Sequence, residues 1–323
     1  MQNSPDVAER NNMKILVTES LKLGIEWPPG TTAIPFDESR PIPLEHLDAE
    51  ATVCWGNPAS LQSMRTMPNL RWVQSLSAGT DVFVAAGLPE SVVLTSGRGL
   101  HDHTVTEHAV ALLLALVREL PDLVHAQDEH RWAAEKRGAR SLYDPHRVST
   151  LIDARVVIWG FGSIGQSMAA VLTALGCSVR GVARTAGVRA GYEVVAADDI
   201  RETLPDTDVL VMVLPSTPET AKALNAELLG LLPNRSLVCN VGRGSTVDED
   251  ALVAALHDGT IAGAALDVMA SEPLPASSPL WDAPNCILTP HIAGFRAHGA
   301  DDLVGGNIRA FLAGEPQRNV VQR

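Results

Sequence analysis

The stretch Val156-Val157-Ile158-Trp159-Gly160-Phe161-Gly162-Ser163-Ile164-Gly165 constrains this chain more than any other. A β-branched apolar run stops at Gly160, and a small-residue segment of helical periodicity follows over 163–176. The pattern predicts strand, tight turn, helix. The three glycines have separate jobs: Gly160 makes the turn, Gly162 lets backbone approach a pyrophosphate, and Gly165 lets helix pack on strand. Free N–H groups and the helix dipole would then face the anion. A bare glycine motif is weak evidence, but this strand–turn–helix setting points to a bound dinucleotide.

The rest of the chain agrees with an open parallel sheet. Strands are predicted at 155–160, 178–183, 208–214, 236–241, 262–268 and 286–289. Helices are predicted between them: 163–175, a polar one near 198–204, one capped by Thr217 with Pro218 first, and one opened by Asp248 and ended by Gly259. That alternation is a doubly wound (Rossmann) α/β sheet. Before it, strands at 14–18, 51–55, 70–76 and 92–95, with loops in the Pro-rich segment 28–47, suggest a smaller flavodoxin-like α/β unit. The longest helix signal covers 104–120, where Thr104 and Glu107 have capping-box spacing. Val105, Ala109, Leu112, Leu116 and Leu120 share one face, and the other faces are apolar too. Such a helix needs more than one neighbour, and a subunit interface would supply one.

At 323 residues the chain is long enough for two domains. Its net charge of −13 argues against nucleic acid and against an anionic membrane surface. An anionic substrate must therefore be held by local Arg and N–H groups. Cys54, Cys177, Cys239 and Cys286 are widely spaced in apolar contexts, which reads as reduced thiols in a cytoplasmic protein. No apolar run reaches membrane-span length, the polar leader 1–12 lacks a signal-peptide core, and no metal is expected.

An NAD site needs a carboxylate at the end of the second strand for the ribose diol. Here that position is Ala183, and no Asp or Glu occurs between Gln166 and Tyr192. Arg184 and Thr185 follow instead, a guanidinium and a hydroxyl suited to a 2′-phosphate. NADP is therefore expected to be preferred, with NAD possible; Arg184 as a plain solvated charge is the alternative.

Three further segments fall at strand ends on the same edge as the glycine turn. They are Val241-Gly242-Arg243-Gly244, the run from Asp267 through Glu272 to Leu274, and Thr289-Pro290-His291-Ile292-Ala293-Gly294. Singly, Arg243, Glu272 and His291 read as a surface cation, a loop acid and one of ten histidines. Together, in the crevice where open α/β sheets bind ligands, they suit hydride exchange. His291 would trade a proton with a hydroxyl or carbonyl oxygen, Glu272 would orient the ring, and Arg243 would hold a substrate carboxylate.

With those motifs, and Leu214-Pro215-Ser216-Thr217-Pro218-Glu219-Thr220 among them, the chain resembles the D-isomer-specific 2-hydroxyacid dehydrogenases. The resemblance spans 13–320. It implies that Arg243, Glu272 and His291 are catalytic and that Asp267 contacts the nicotinamide carboxamide. It adds Gly160, Phe161, Gly162, Ser163, Ile164, Gly165, Leu214, Pro215, Val241, Gly242 and Gly294 as cofactor contacts. It implies a substrate-carboxylate nest at Leu76, Ser77, Ala78 and Gly79. It also implies a substrate domain of 1–101 plus 292–323, a cofactor domain of 102–291, and a homodimer. Glu272 disfavours the formate dehydrogenase branch, and Ala78 stands where phosphite dehydrogenase has Lys. The chain ends soon after the His291 loop, which weakens a phosphoglycerate dehydrogenase reading. Trp55 would narrow a pocket toward glyoxylate or hydroxypyruvate, unless it is a core Trp; Arg98 could instead meet a phosphate. A dinucleotide-sensing binding protein without turnover is the alternative of a different class.

Overall fold

The computed structural model describes residues 12–139 and 141–323, so the polar leader lies, but for Asn12, outside the described residues. The chain divides into two compact units, Met1–His101 with Ala297–Arg323, and Asp102–Arg296.

The first unit is built on five parallel strands: β1 Met13–Thr18, β2 Thr31–Phe36, β3 Ala51–Cys54, β4 Trp72–Ser75 and β5 Val93–Thr95. Their order is β2-β1-β3-β4-β5. β2 falls inside the segment expected to be loop. Its Pro35 reads as a breaker, but β2 is an edge strand, where a residue without an N–H is tolerated. Both faces of this sheet are covered, one around Leu16, Val73 and Phe83, the other around Ile15, Trp72 and the C-terminal helix Ala300–Ala313.

The second unit holds eight strands: β6 Arg155–Trp159, β7 Ser178–Ala183, β8 Gly187–Arg189, β9 Tyr192–Ala196, β10 Val209–Met212, β11 Leu237–Asn240, β12 Gly263–Leu266 and β13 Cys286–Leu288. The order is β13-β12-β11-β10-β6-β7-β9-β8, parallel except for β8. This is the expected doubly wound sheet with a hairpin added at one edge. The β8–β9 turn is Ala190-Gly191, both at positive φ (50° and 86°), as a two-residue hairpin turn requires. Along β6, Val156 and Ile158 enter one core while Val157 and Trp159 enter the other. That is the burial of a parallel sheet covered on both faces.

Two helix expectations need correction. The long helix is Asp102–Val117, so it begins ahead of Thr104 and ends short of Leu120. Pro121 explains the stop: its ring would meet the carbonyl of Val117, four residues back, and a second helix, Leu120–Asp128, starts there. The segment after Thr217 is a series of turns, with the Thr217 N–H donating to Thr220 Oγ1 at 2.9 Å; the next helix is Ala226–Leu229. The thiols are free as expected; burial pushes Cys239 up to about 12 and Cys177 up to about 11. No helix among the described residues is long and apolar enough to cross a membrane.

Glu119, between the two helices, ties down the polar segment that follows. Lys136 Nζ donates to it at 2.6 Å and Arg147 Nη2 at 3.0 Å. The Arg147 hydrogen bond, then that of Lys136, holds its carboxyl down to about 2, against an ordinary 4.5. A depressed carboxyl pKa contributes stability that is complete above the ordinary value and is lost as pH falls through the folded one. Glu119→Gln should therefore cost on the order of 1–3 kcal/mol at pH 7. The gap from the parent should shrink between pH 4.5 and about 2. Urea unfolding at pH 7 and pH 3 checks this; identical midpoints at pH 7 would count against it.

Candidate active site

The parallel order β13-β12-β11-β10-β6-β7 brings the C-terminal ends of these strands to one edge. The turn after β6 is as tight as its sequence suggests. Gly160 has φ +106°, and a Cβ there would sit 2.4 Å from Val213 O. A Cβ on Gly165 would meet Gly160 O at 2.7 Å, while around Gly162, the N-cap of the helix Ser163–Ala174, there is open space. This cradle accepts backbone approach by a pyrophosphate, so the residues fit a dinucleotide. Phe161 departs from expectation in its side chain. The ring is buried, filling the space left by Gly181 on β7, where a Cβ would lie 2.4 Å from it. Only its backbone is left to face a ligand. Ser163 Oγ donates to Asp102 Oδ1 at 3.0 Å, and Ile164 is partly buried against the core.

β7 ends at Ala183, and Arg184 and Thr185 follow it exposed. A third residue meets them that sequence reading missed. Arg189 Nη2 donates to Thr185 O at 3.0 Å and to Thr185 Oγ1 at 2.9 Å, while Nη1 reaches Phe161 O at 3.4 Å. The β8–β9 hairpin thus carries a second guanidinium to the loop where an NAD site has its acid. The unexpected hairpin hid this.

On the other side of the turn, Leu214 and Val241 are buried, Pro215 is exposed, and Gly242 packs on the Leu214 backbone. Arg243 follows β11. Its carbonyl accepts from Asn240 Nδ2 at 3.0 Å and Thr246 Oγ1 at 2.6 Å, and its Nη1 donates to Gly242 O at 2.9 Å. Asn240 and Thr246 set this turn; a polar side chain closing a buried strand was the available signal. Gly244 is required by close approach, since a Cβ there would overlap the Met269 carbonyl carbon at 1.9 Å.

His291 and Glu272 meet directly. His291 Nδ1 lies 2.7 Å from Glu272 Oε2, and Glu272 Oε1 accepts the Met269 N–H at 2.9 Å. The carboxylate is thus held at both oxygens and fixes the imidazole through Nδ1, leaving Nε2 for a reacting oxygen. Asp267 is buried. Its carboxylate is 1% exposed. It accepts Thr289 Oγ1 at 2.6 Å and the N–H groups of Ile292 and Ala293 at 3.0 Å each. Those bonds turn it inward as the anchor of the His291 loop. They also explain why 292–296 belong to the larger unit, where the expectation gave them to the smaller. Gly294 follows in the same loop, its carbonyl accepting the Arg296 N–H at 2.9 Å.

In the smaller unit, the 76–79 loop follows β4. The Leu76 N–H is taken by Cys54 O at 2.8 Å and that of Ser77 by Ser75 Oγ at 3.0 Å. Of the four expected donors, Ala78 and Gly79 therefore remain open. Trp55 is locked, donating N–H to Glu38 Oε2 and Nε1–H to Ser20 Oγ, both at 2.9 Å, and accepting from Ser77 Oγ at 3.2 Å. Arg98 is exposed. Among the described residues, no His, Cys, Asp or Glu cluster could hold a metal ion.

A pyrophosphate cradle on the same sheet edge as a paired His and Glu defines a nicotinamide-dependent oxidoreductase. Residues 110–293 match the family model of the D-isomer specific 2-hydroxyacid dehydrogenase, NAD binding domain. The chain is 33% identical over 275 residues to a glycerate dehydrogenase of Methylorubrum extorquens, covering 82% of this chain and 83% of that one. It superposes with a TM-score of 0.79 and 30% identity on a D-isomer specific 2-hydroxyacid dehydrogenase from Xanthobacter autotrophicus in complex with NADPH and MES, covering 96% and 98%. An NADPH-dependent glyoxylate/hydroxypyruvate reductase from Sinorhizobium meliloti, in complex with NADP and sulfate, gives 0.78 and 27%, again covering 96% and 98%. The chain belongs to the D-isomer-specific 2-hydroxyacid dehydrogenase family. It is an oxidoreductase moving hydride between a nicotinamide cofactor and a small 2-hydroxy or 2-keto acid.

Proposed function

We propose that this chain reduces small 2-keto acids of the glyoxylate/hydroxypyruvate kind, with NADPH preferred over NADH. The Asp102–Arg296 unit is read as the cofactor domain and the other as the substrate domain. The observation that carries the chemistry is His291 Nδ1 bound to Glu272 Oε2 at 2.7 Å. A nicotinamide, when bound, supplies the hydride. His291 gives a proton from Nε2 to the substrate's keto oxygen as that oxygen gains charge. Glu272 holds the ring through Nδ1 and stabilises the imidazolium that carries the Nε2 proton before its transfer. Arg243 grips the substrate carboxylate as a fork. A Trp55 whose polar groups are all engaged suits a small pocket. The cradle residues Gly160, Gly162 and Gly165 hold the pyrophosphate. Ala183 with Arg184, Thr185 and Arg189 supports the 2′-phosphate reading, as do the NADP-bound relatives. The largely apolar helix Asp102–Val117 and the exposed Leu120, Leu123 and Val124 favour a homodimer, and a cytoplasmic location suits four free thiols.

NADPH and NADH oxidation against glyoxylate, hydroxypyruvate and pyruvate tests this reading. Turnover is expected with the first two substrates. kcat/KM should favour NADPH, and Arg184→Ala should reduce that preference about 10-fold, the worth of one hydrogen bond to a charged group. Equal or better use of NADH would overturn the cofactor assignment. Dinucleotide binding without turnover would favour a sensing role.

A further inference from the structure

His108 stands on the helix Asp102–Val117 among residues that pack into the apolar core, and its ring is bonded to the loop that carries His291. His108 Nε2 is 2.9 Å from Thr289 Oγ1 and 3.2 Å from Asp267 Oδ1. The Thr289 hydroxyl donates its one proton to Asp267 Oδ1 at 2.6 Å. Its oxygen can therefore only accept from His108, which puts a proton on Nε2. A single N–H thus ties the long helix to the residue after β13 and to the buried carboxylate after β12.

That carboxylate governs the conformation of the loop. Asp267 side-chain oxygens take the N–H groups of Ile292 and Ala293, and its carbonyl takes the N–H of His291 at 2.7 Å. His291 sits at φ +53°, in the left-handed region. A residue with a side chain holds such a conformation only where its surroundings impose it. Here the imposing bonds run through Asp267, whose position is fixed in turn by Thr289 and His108.

We propose that His108 is a positioning residue for His291: by donating to Thr289 and Asp267 it selects the loop conformation in which His291 meets Glu272. This rests on the reading of His291 as the proton donor, although the hold on the loop does not. A side chain of equal bulk would fill the same space but leave a buried carboxylate short of a donor. The N–H is the operative feature.

Hydrogen exchange of the Thr289, His291, Ile292 and Ala293 amides in the full chain without dinucleotide, beside kcat and KM, separates the alternatives. His108→Leu, which keeps bulk and removes the donor, should speed exchange about 10-fold and lower kcat by a similar factor, with the KM for dinucleotide little changed. His108→Gln, whose amide N–H reaches a like position, should restore both. His108→Phe, a ring without the N–H, should reproduce the Leu result and decides the matter if the Leu variant does not fold. Unchanged exchange in both donor-free variants would overturn the proposal, as would a Gln variant as impaired as Leu. A His291→Ala chain of undiminished rate would sink the proton-donor reading, while the exchange data would still judge His108.

Discussion

Replacing His291 by alanine is expected to lower kcat by ~10²–10⁴, the usual worth of a positioned proton donor. The loss should fall on turnover, because the cradle that holds the dinucleotide lies at the end of β6, while His291 follows β13, at the sheet's far edge. The KM for cofactor should therefore barely move. Glu272→Gln should fall between the variant and the parent enzyme. An amide can still hydrogen-bond Nδ1 across the same 2.7 Å, but it carries no charge to stabilise an imidazolium. Steady-state rates over a range of pH make the comparison. An alanine variant within a few-fold of the parent rate would remove His291 from the chemistry.

Arg243→Lys should cost roughly 10–100-fold in kcat/KM for the keto acid, since an ammonium cannot reproduce a two-pronged grip on a carboxylate. Arg243→Ala should lose more, ~10²–10³, because the charge disappears together with both prongs of the fork. Either change gives up the Nη1 bond to Gly242 O but keeps the main ties of the turn. Asn240 and Thr246 bind the Arg243 carbonyl, not its side chain, and Gly244 supplies the close approach to Met269. Stability should thus stay near the parent value while kcat/KM falls, and unchanged kinetics for the lysine variant would refute the clamp.

The sequence was most informative where a residue's job is local. The glycine turn needs only the absence of Cβ atoms, and β6 with the helix Ser163–Ala174 could be read directly from it. Parallel strands, buried on both faces, stood out as short apolar runs. Reading failed where context overrides propensity. β2 hid behind Pro35, harmless on an edge, and β8–β9 hid behind an Ala-Gly turn that lacks the usual Asn or Asp. In the site, the pairing of Glu272 with His291 was legible because their segments follow the neighbouring strands β12 and β13, as that of Arg243 follows β11. Arg189, His108, Thr246 and the inward turn of Asp267 were not. Their partners lie far away in the chain or across a turn that spacing does not reveal. The open donors of the 76–79 loop were over-counted for the same reason, since Cys54 and Ser75 had already claimed two.

The Phe161 ring seated over Gly181 has a consequence for how this molecule can change over generations. The loop expected to grip pyrophosphate begins with a ring seated in a vacancy of the strand beside it, so a larger residue at 181 requires the ring at 161 to move. A methyl group gained at 181 would lift the ring and, with it, the backbone of the turn. Cofactor affinity in this chain is thus exposed to substitution at a site that no dinucleotide touches.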